Sequence, residues 1–223
     1  MVKKVLSLTA LVLCLLILVS PPVTAASPAF TDISGHWAER TIVQFADAGI
    51  ISGFPDGTFR PDQTVTRAEL AAILTRAFDL NEAFPVTFSD VDPGAWYYAY
   101  LQLAARFIPN HQFGESNFAP NARAHRIDAA AAFVSIELYT TGMAIDMPTY
   151  EEIARQVRAT FRDTDYLYGD ISFPNVQQLF RVTWLAHHLG LMEGCPDGYF
   201  RPAWGVRRAE VLTIIARMLP GTE

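Results

Sequence analysis

The chain has 223 residues, 51% hydrophobic and 18% charged, with 17 basic side chains against 23 acidic ones and a net charge of −6. That length supports one large domain or a few small units sharing a core. The acidic balance excludes non-specific nucleic-acid binding, which needs a basic face. Two cysteines exclude a disulfide framework.

Residues 1–25 have the make-up of a secretory signal peptide. Lys3 and Lys4 form a basic start, residues 5–19 are apolar apart from Ser7 and Thr9, and small residues at 23–25 suit a cleavage site. The apolar run is shorter than the roughly 20 residues of a membrane span. Both lysines fall inside this segment, so residues 26–223 carry 15 arginines against 23 acids, a net charge of −8, and Cys195 as their one cysteine. An exported protein is expected, with stability that comes from packing and any anionic partner held by local arginines rather than by the overall field.

From residue 30 onward the chain repeats itself. F-x-D triplets stand at Phe30–Asp32, Phe88–Asp90 and Phe161–Asp163. The turn FPDGTFRP at 54–61 returns as CPDGYFRP at 195–202 and, more weakly, as FGESNFAP at 113–120. VTRAEL at 65–70 aligns with AHRIDA at 124–129 and VRRAEV at 206–211. Adding 59 to residues 37–78 gives the second copy without a gap, and adding 141 gives the third. Trp37 thus falls on Trp96, and Arg67 on Arg126 and Arg208. Position 178 of the third copy is Gln.

Each copy predicts helix, turn, helix. In the first, Ala38, Ile42, Phe45, Ala46 and Gly49 share a face; Pro55, Asp56 and Gly57 make a turn. Thr66 and Glu69 have the spacing of a capping box, followed by an apolar set at Leu70, Ile73, Leu74, Ala77 and Phe78. The third copy repeats that set as Val211, Ile214, Ile215, Met218 and Leu219. The second keeps Ala129, Ala132, Phe133 and Ile136, with Glu137 as its lapse. Two-helix units cannot bury their apolar faces alone. The expected fold is therefore all-α: three helix-turn-helix repeats packed as a pseudo-threefold helical assembly. The divisions are a signal peptide at 1–25, repeats at 30–80, 88–139 and 161–219, and a connecting helix at 140–160 capped by Thr149. An aromatic insertion at 164–177 interrupts the third repeat.

These motifs resemble the S-layer homology (SLH) domain, most completely in FTDISGHWAERTIVQFADAGIISGFPDGTFRPDQTVTRAELAAIL of the first copy. The resemblance implies an exported cell-surface protein attached non-covalently to secondary cell-wall polysaccharide, often bearing a pyruvate ketal, in grooves between repeats. Its implied glycan contacts are the F-x-D aspartates (Asp32, Asp90, Asp163), the tryptophans (Trp37, Trp96), the turn glycines (Gly57, Gly198) and the T-R-A-E arginines (Arg67, Arg126, Arg208).

An arginine in the first turn of a helix opposes the macrodipole but suits an anion placed there, and a guanidinium grips a carboxylate with two parallel hydrogen bonds. The other role open to these arginines is pairing with the F-x-D aspartates to pin one repeat to the next. Trp184 and Trp204, outside the motif, are expected in the core or at interfaces. The second copy departs from the motif at its turn and at His125, and the third lacks the tryptophan and has Arg207 at the capping position, so one groove, or two at most, is expected to work.

The histidines, His36, His111, His125, His187 and His188, are scattered, and no metal-ligand spacing, nucleophile elbow or phosphate loop occurs. No enzyme activity, metal or cofactor is expected. The alternative function is a diverged triplet that binds other envelope proteins or assembles with itself.

Overall fold

The computed structural model describes residues 30–110, 116–163 and 176–219. The signal segment and nearly all of the aromatic insertion lie outside them. The first unit is α1 (Glu39–Asp47) and α2 (Arg67–Ala77). The second is α3 (Tyr98–Ala104), extended by a 3-10 turn at Ala105–Phe107, and α4 (Arg126–Thr141). α5 (Tyr150–Thr160) leads into the third, α6 (Val176–His188) and α7 (Arg208–Met218). Among the described residues there is no strand, only isolated bridges, and no helix is long and apolar enough to cross a membrane.

Local chemistry sets the helix ends. Thr66 Oγ1 accepts the Glu69 N–H at 3.2 Å and Glu69 Oε2 accepts the Thr66 N–H at 2.7 Å, a complete capping box. Thr149 and Glu152 repeat it at the start of α5. In the diverged copies the acid still reaches back to the cap: Asp128 accepts the His125 N–H at 3.1 Å and Glu210 the Arg207 N–H at 2.9 Å. α7 is α2 displaced by 141 residues, whereas α4 runs five residues beyond the equivalent of α2 and stops at Gly142, which takes φ +63°.

The units close into a ring. α2 packs on α3, α4 on α6, and α7 on α1. At the axis three equivalent residues pass one hydrogen bond around a triangle. Val65 N–H donates to Val206 at 3.0 Å, Val206 to Ala124 at 2.9 Å, and Ala124 to Val65 at 2.9 Å. One bridge flanks each corner, Thr66 with Arg123, His125 with Gly205, and Arg207 with Thr64. Gly205 is required by this close approach, since a Cβ there would lie 2.6 Å from Thr64 Cγ2.

Each turn is clamped by its F-x-D aspartate. Asp32 accepts the N–H groups of Phe59 and Arg60, both at 2.7 Å. Asp90 accepts those of Phe118 and Ala119 at 2.9 and 2.7 Å, and Asp163 those of Phe200 and Arg201 at 3.0 and 2.6 Å. The second residue of each pair is held at positive φ, 59°, 54° and 57° for Arg60, Ala119 and Arg201, a conformation unfavourable for non-glycine residues. Two carboxylate bonds per turn offset that cost. Phe59, Phe118 and Phe200 are then driven into a continuous core, each 5.3 Å from the phenylalanine of its own triplet.

Candidate functional site

Two equivalent surface grooves use residues from all three copies. Groove A, about 290 Å³, runs along α2 between Glu69 and Arg76 and the loop 51–54. Trp96 of the second copy and Arg208 of the third complete it. Groove B, about 480 Å³, runs along α7 between Glu210 and Arg217 and the loop 191–194. Trp37 of the first copy and Arg126 of the second complete it. The cyclic packing explains the mixture. Each groove lies on the second helix of one copy, takes its tryptophan from the start of the next copy's first helix, and its arginine from the second helix of the preceding one.

The tryptophans are presented outward, Trp37 62% and Trp96 60% exposed. The arginines of the same grooves are buried. Arg208 donates from Nε to the Phe59 carbonyl at 3.0 Å and from an Nη to the Ser52 carbonyl at 3.1 Å. Arg126 donates from Nε to the Phe200 carbonyl at 2.9 Å and pairs with Glu210 at 2.8 Å. Burial pushes the pKa of Arg208 down, and the nearby Glu69 opposes the shift.

The third position has a different form. Arg67 is fully buried, donating from Nε to the Phe118 carbonyl at 2.7 Å and from an Nη to the Pro109 carbonyl at 2.6 Å, with Asp128 3.4 Å away. Burial pushes its pKa down as well, with Asp128 opposing. Gln178 occupies the tryptophan position and Ser135 the position equivalent to Arg76.

The ten sequence candidates therefore separate. Trp37, Trp96, Arg126 and Arg208 line grooves A and B. Asp32, Asp90 and Asp163 clamp turns. Gly57 and Gly198 sit at φ +80° and +84°, their carbonyls accepting the N–H groups of Thr31 and Arg162. Arg67 joins the first and second copies from within.

Two expectations need correction. The arginines do pin one copy to the next, but not through the F-x-D aspartates. Each donates to the turn carbonyl of the following copy, and Arg67 and Arg126 also meet its helix acid, Asp128 and Glu210, because the aspartates are already engaged with backbone N–H groups. Trp204 is 55% exposed, with the Arg201 guanidinium 4.1 Å from the ring centroid, rather than buried in a core or interface. Trp184 is buried as expected, donating to Gln156 at 2.8 Å.

Arg76 and Arg217 escaped the sequence reading. The signal was present: each lies seven residues, two helical turns, after a groove glutamate, on the same face, and both occupy one register position. Among the described residues no group of three or more His, Cys, Asp or Glu could hold a metal ion.

Residues 29–71 match the S-layer homology domain family. The chain is 36% identical over 105 residues, 47% of its length, to the Surface-layer 125 kDa protein of Lysinibacillus sphaericus. It is 29% identical over 191 residues, 85% of its length, to the Amylopullulanase of Thermoanaerobacterium thermosulfurigenes. It is 41% identical over 80 residues, 34% of its length, to the Cellulosome-anchoring protein of Acetivibrio thermocellus. These matches span 9%, 9% and 17% of the relatives' own lengths. Residues 29–71 thus match an S-layer homology domain, and over about half its length the chain is similar to surface-layer proteins.

Proposed function

We propose that this protein is exported and anchors non-covalently to secondary cell-wall polysaccharide, with a pyruvylated sugar bound in each of grooves A and B. The observation that carries the proposal is the paired construction of the grooves, each lined by an exposed tryptophan, a buried arginine and a helix carrying glutamate and a second arginine. An indole face covers the apolar face of a sugar ring. Glutamate accepts hydroxyl protons, and a ketal carboxylate is an anion that guanidinium groups hold by charge-assisted hydrogen bonds. A binding role rather than catalysis is proposed, and the printed name of the Acetivibrio relative, an anchoring protein, points the same way.

The test is co-sedimentation with purified wall sacculi before and after chemical removal of the polysaccharide and of its ketals. Binding to native walls that is lost with the polysaccharide supports the reading. Folded protein that stays in the supernatant with native walls contradicts it.

A further inference from the structure

Grooves A and B share a design but differ in size, about 290 against 480 Å³, and the repeat register identifies two causes. Phe54 lines groove A; the equivalent residue on groove B's loop is Cys195. The Phe54 ring is held in place, with the Arg60 guanidinium 3.9 Å and that of Arg208 5.1 Å from its centroid. The second cause lies in the helix that supplies the tryptophan. One turn after Trp96 comes Tyr100, whose hydroxyl accepts a hydrogen bond from Arg76 at 2.6 Å, with the Arg76 guanidinium 4.9 Å from the ring centroid. One turn after Trp37 the same position is Thr41. Without a tyrosine, Arg217 turns to the Leu191 carbonyl at 3.1 Å instead. Groove B thus lacks the Phe54 ring that lines groove A and the Tyr100 ring that holds groove A's Arg76.

The charges differ in the same sense. The buried arginine of groove A is bonded to carbonyls, whereas that of groove B is paired directly with Glu210 at 2.8 Å. Groove B also has the exposed Glu193 where groove A has Ser52. A carboxylate ligand meets a less neutralised arginine in groove A. Groove B offers more room and more acceptors for sugar hydroxyls.

Resting on the glycan reading above, we infer that groove A admits a single anionic sugar ring and that groove B admits two consecutive rings, Phe54/Cys195 and Tyr100/Thr41 being the residues that set this difference. The probes are a pyruvyl-ketal methyl glycoside and the disaccharide carrying the same ketal sugar at its non-reducing end, titrated calorimetrically into residues 26–223. Trp37→Ala leaves groove A as the working site, and Trp96→Ala leaves groove B.

With groove A alone, the disaccharide binds within about twofold of the monosaccharide. With groove B alone it binds at least about tenfold more tightly, since even one additional methylene in a fitted pocket discriminates by roughly that factor. Adding Cys195→Phe and Thr41→Tyr to the Trp96→Ala protein abolishes the gain, with circular dichroism checking that the helices are intact. An equal gain in both grooves, or a gain that survives the two added rings, overturns the size assignment and leaves the glycan reading standing. Failure of the unsubstituted protein to bind either probe overturns the assignment together with the pyruvylated-ligand reading.

Discussion

The guanidinium of Arg67 in the first copy lies 3.4 Å from the carboxylate of Asp128 in the second, and both side chains are fully buried. This contact explains a cation in the first turn of a helix. Arg67 leaves its own helix and enters the next copy, where the Phe118 carbonyl, the Pro109 carbonyl and Asp128 receive it. Removing one partner of such a pair strands the other charge away from water. Arg67→Ala should therefore lower the unfolding free energy by about 3–5 kcal/mol, read as a fall in the urea midpoint. A loss below about 1 kcal/mol, the level of an exposed pair, would show that the contact is not closed in solution. Arg67 is for this reason a poor probe of ligand binding.

Ala119 is held at φ +54° and its methyl group makes none of the turn's hydrogen bonds. Ala119→Gly relieves the left-handed strain, roughly 1–2 kcal/mol, at the cost of a more flexible unfolded chain. A net gain of about 0.5–1 kcal/mol is expected in chemical denaturation. The same change at Arg60 or Arg201 should gain less, because those side chains also bond to Asp56 and Asp197 in their own turns.

Gly53 packs against the first phenylalanine of its own copy. A Cβ at this position would fall 2.3 Å from Phe30 Cε1 and 2.6 Å from the Thr58 carbonyl oxygen. The backbone atom cannot yield as a flexible side chain does. Gly53→Ala should destabilise by about 1–3 kcal/mol through overpacking, seen as a lower melting temperature. An unchanged melting temperature would mean that the turn opens readily.

The first turn also carries a depressed carboxylate. Hydrogen bonds from Thr58 and Arg60 lower the Asp56 pKa from 3.8 to about 2. The ionised form is favoured in the folded state, so this contribution is complete above the unfolded value and disappears as the pH falls through about 2. A carbon-detected NMR titration should place the Asp56 midpoint near 2, and Thr58→Ala should move it back up. A midpoint at the ordinary aspartate value in the unsubstituted protein would contradict the turn geometry.

The helices were legible because periodicity and capping are local. Leu70, Ile73 and Leu74 in the first copy and Val211, Ile214 and Ile215 in the third fix α2 and α7, and Thr149 with Glu152 fixes α5. The makeup of the grooves was not legible. Register shows that Trp37 corresponds to Trp96, but not which copy each tryptophan faces; a ring closed in the opposite sense would satisfy the same repeat. Only the packing of α2 on α3 and α7 on α1 decides that. The turn-clamping role of the F-x-D aspartates was not legible for a related reason. Their role depends on left-handed residues at Arg60, Ala119 and Arg201, none of them a glycine that would advertise such a conformation.

Grooves shared among copies can be distinguished from grooves built within one copy by combining Trp37→Ala, Trp96→Ala and Arg76→Ala, all exposed positions, in wall-sacculus sedimentation. If each groove belonged to one copy, Trp37→Ala with Arg76→Ala would damage a single site and leave the other working. In the cyclic arrangement that pair disables groove B and groove A together, whereas Trp96→Ala with Arg76→Ala disables groove A alone. The account predicts that the first double variant loses wall binding and the second retains it. Retention by the first and loss by the second would contradict it.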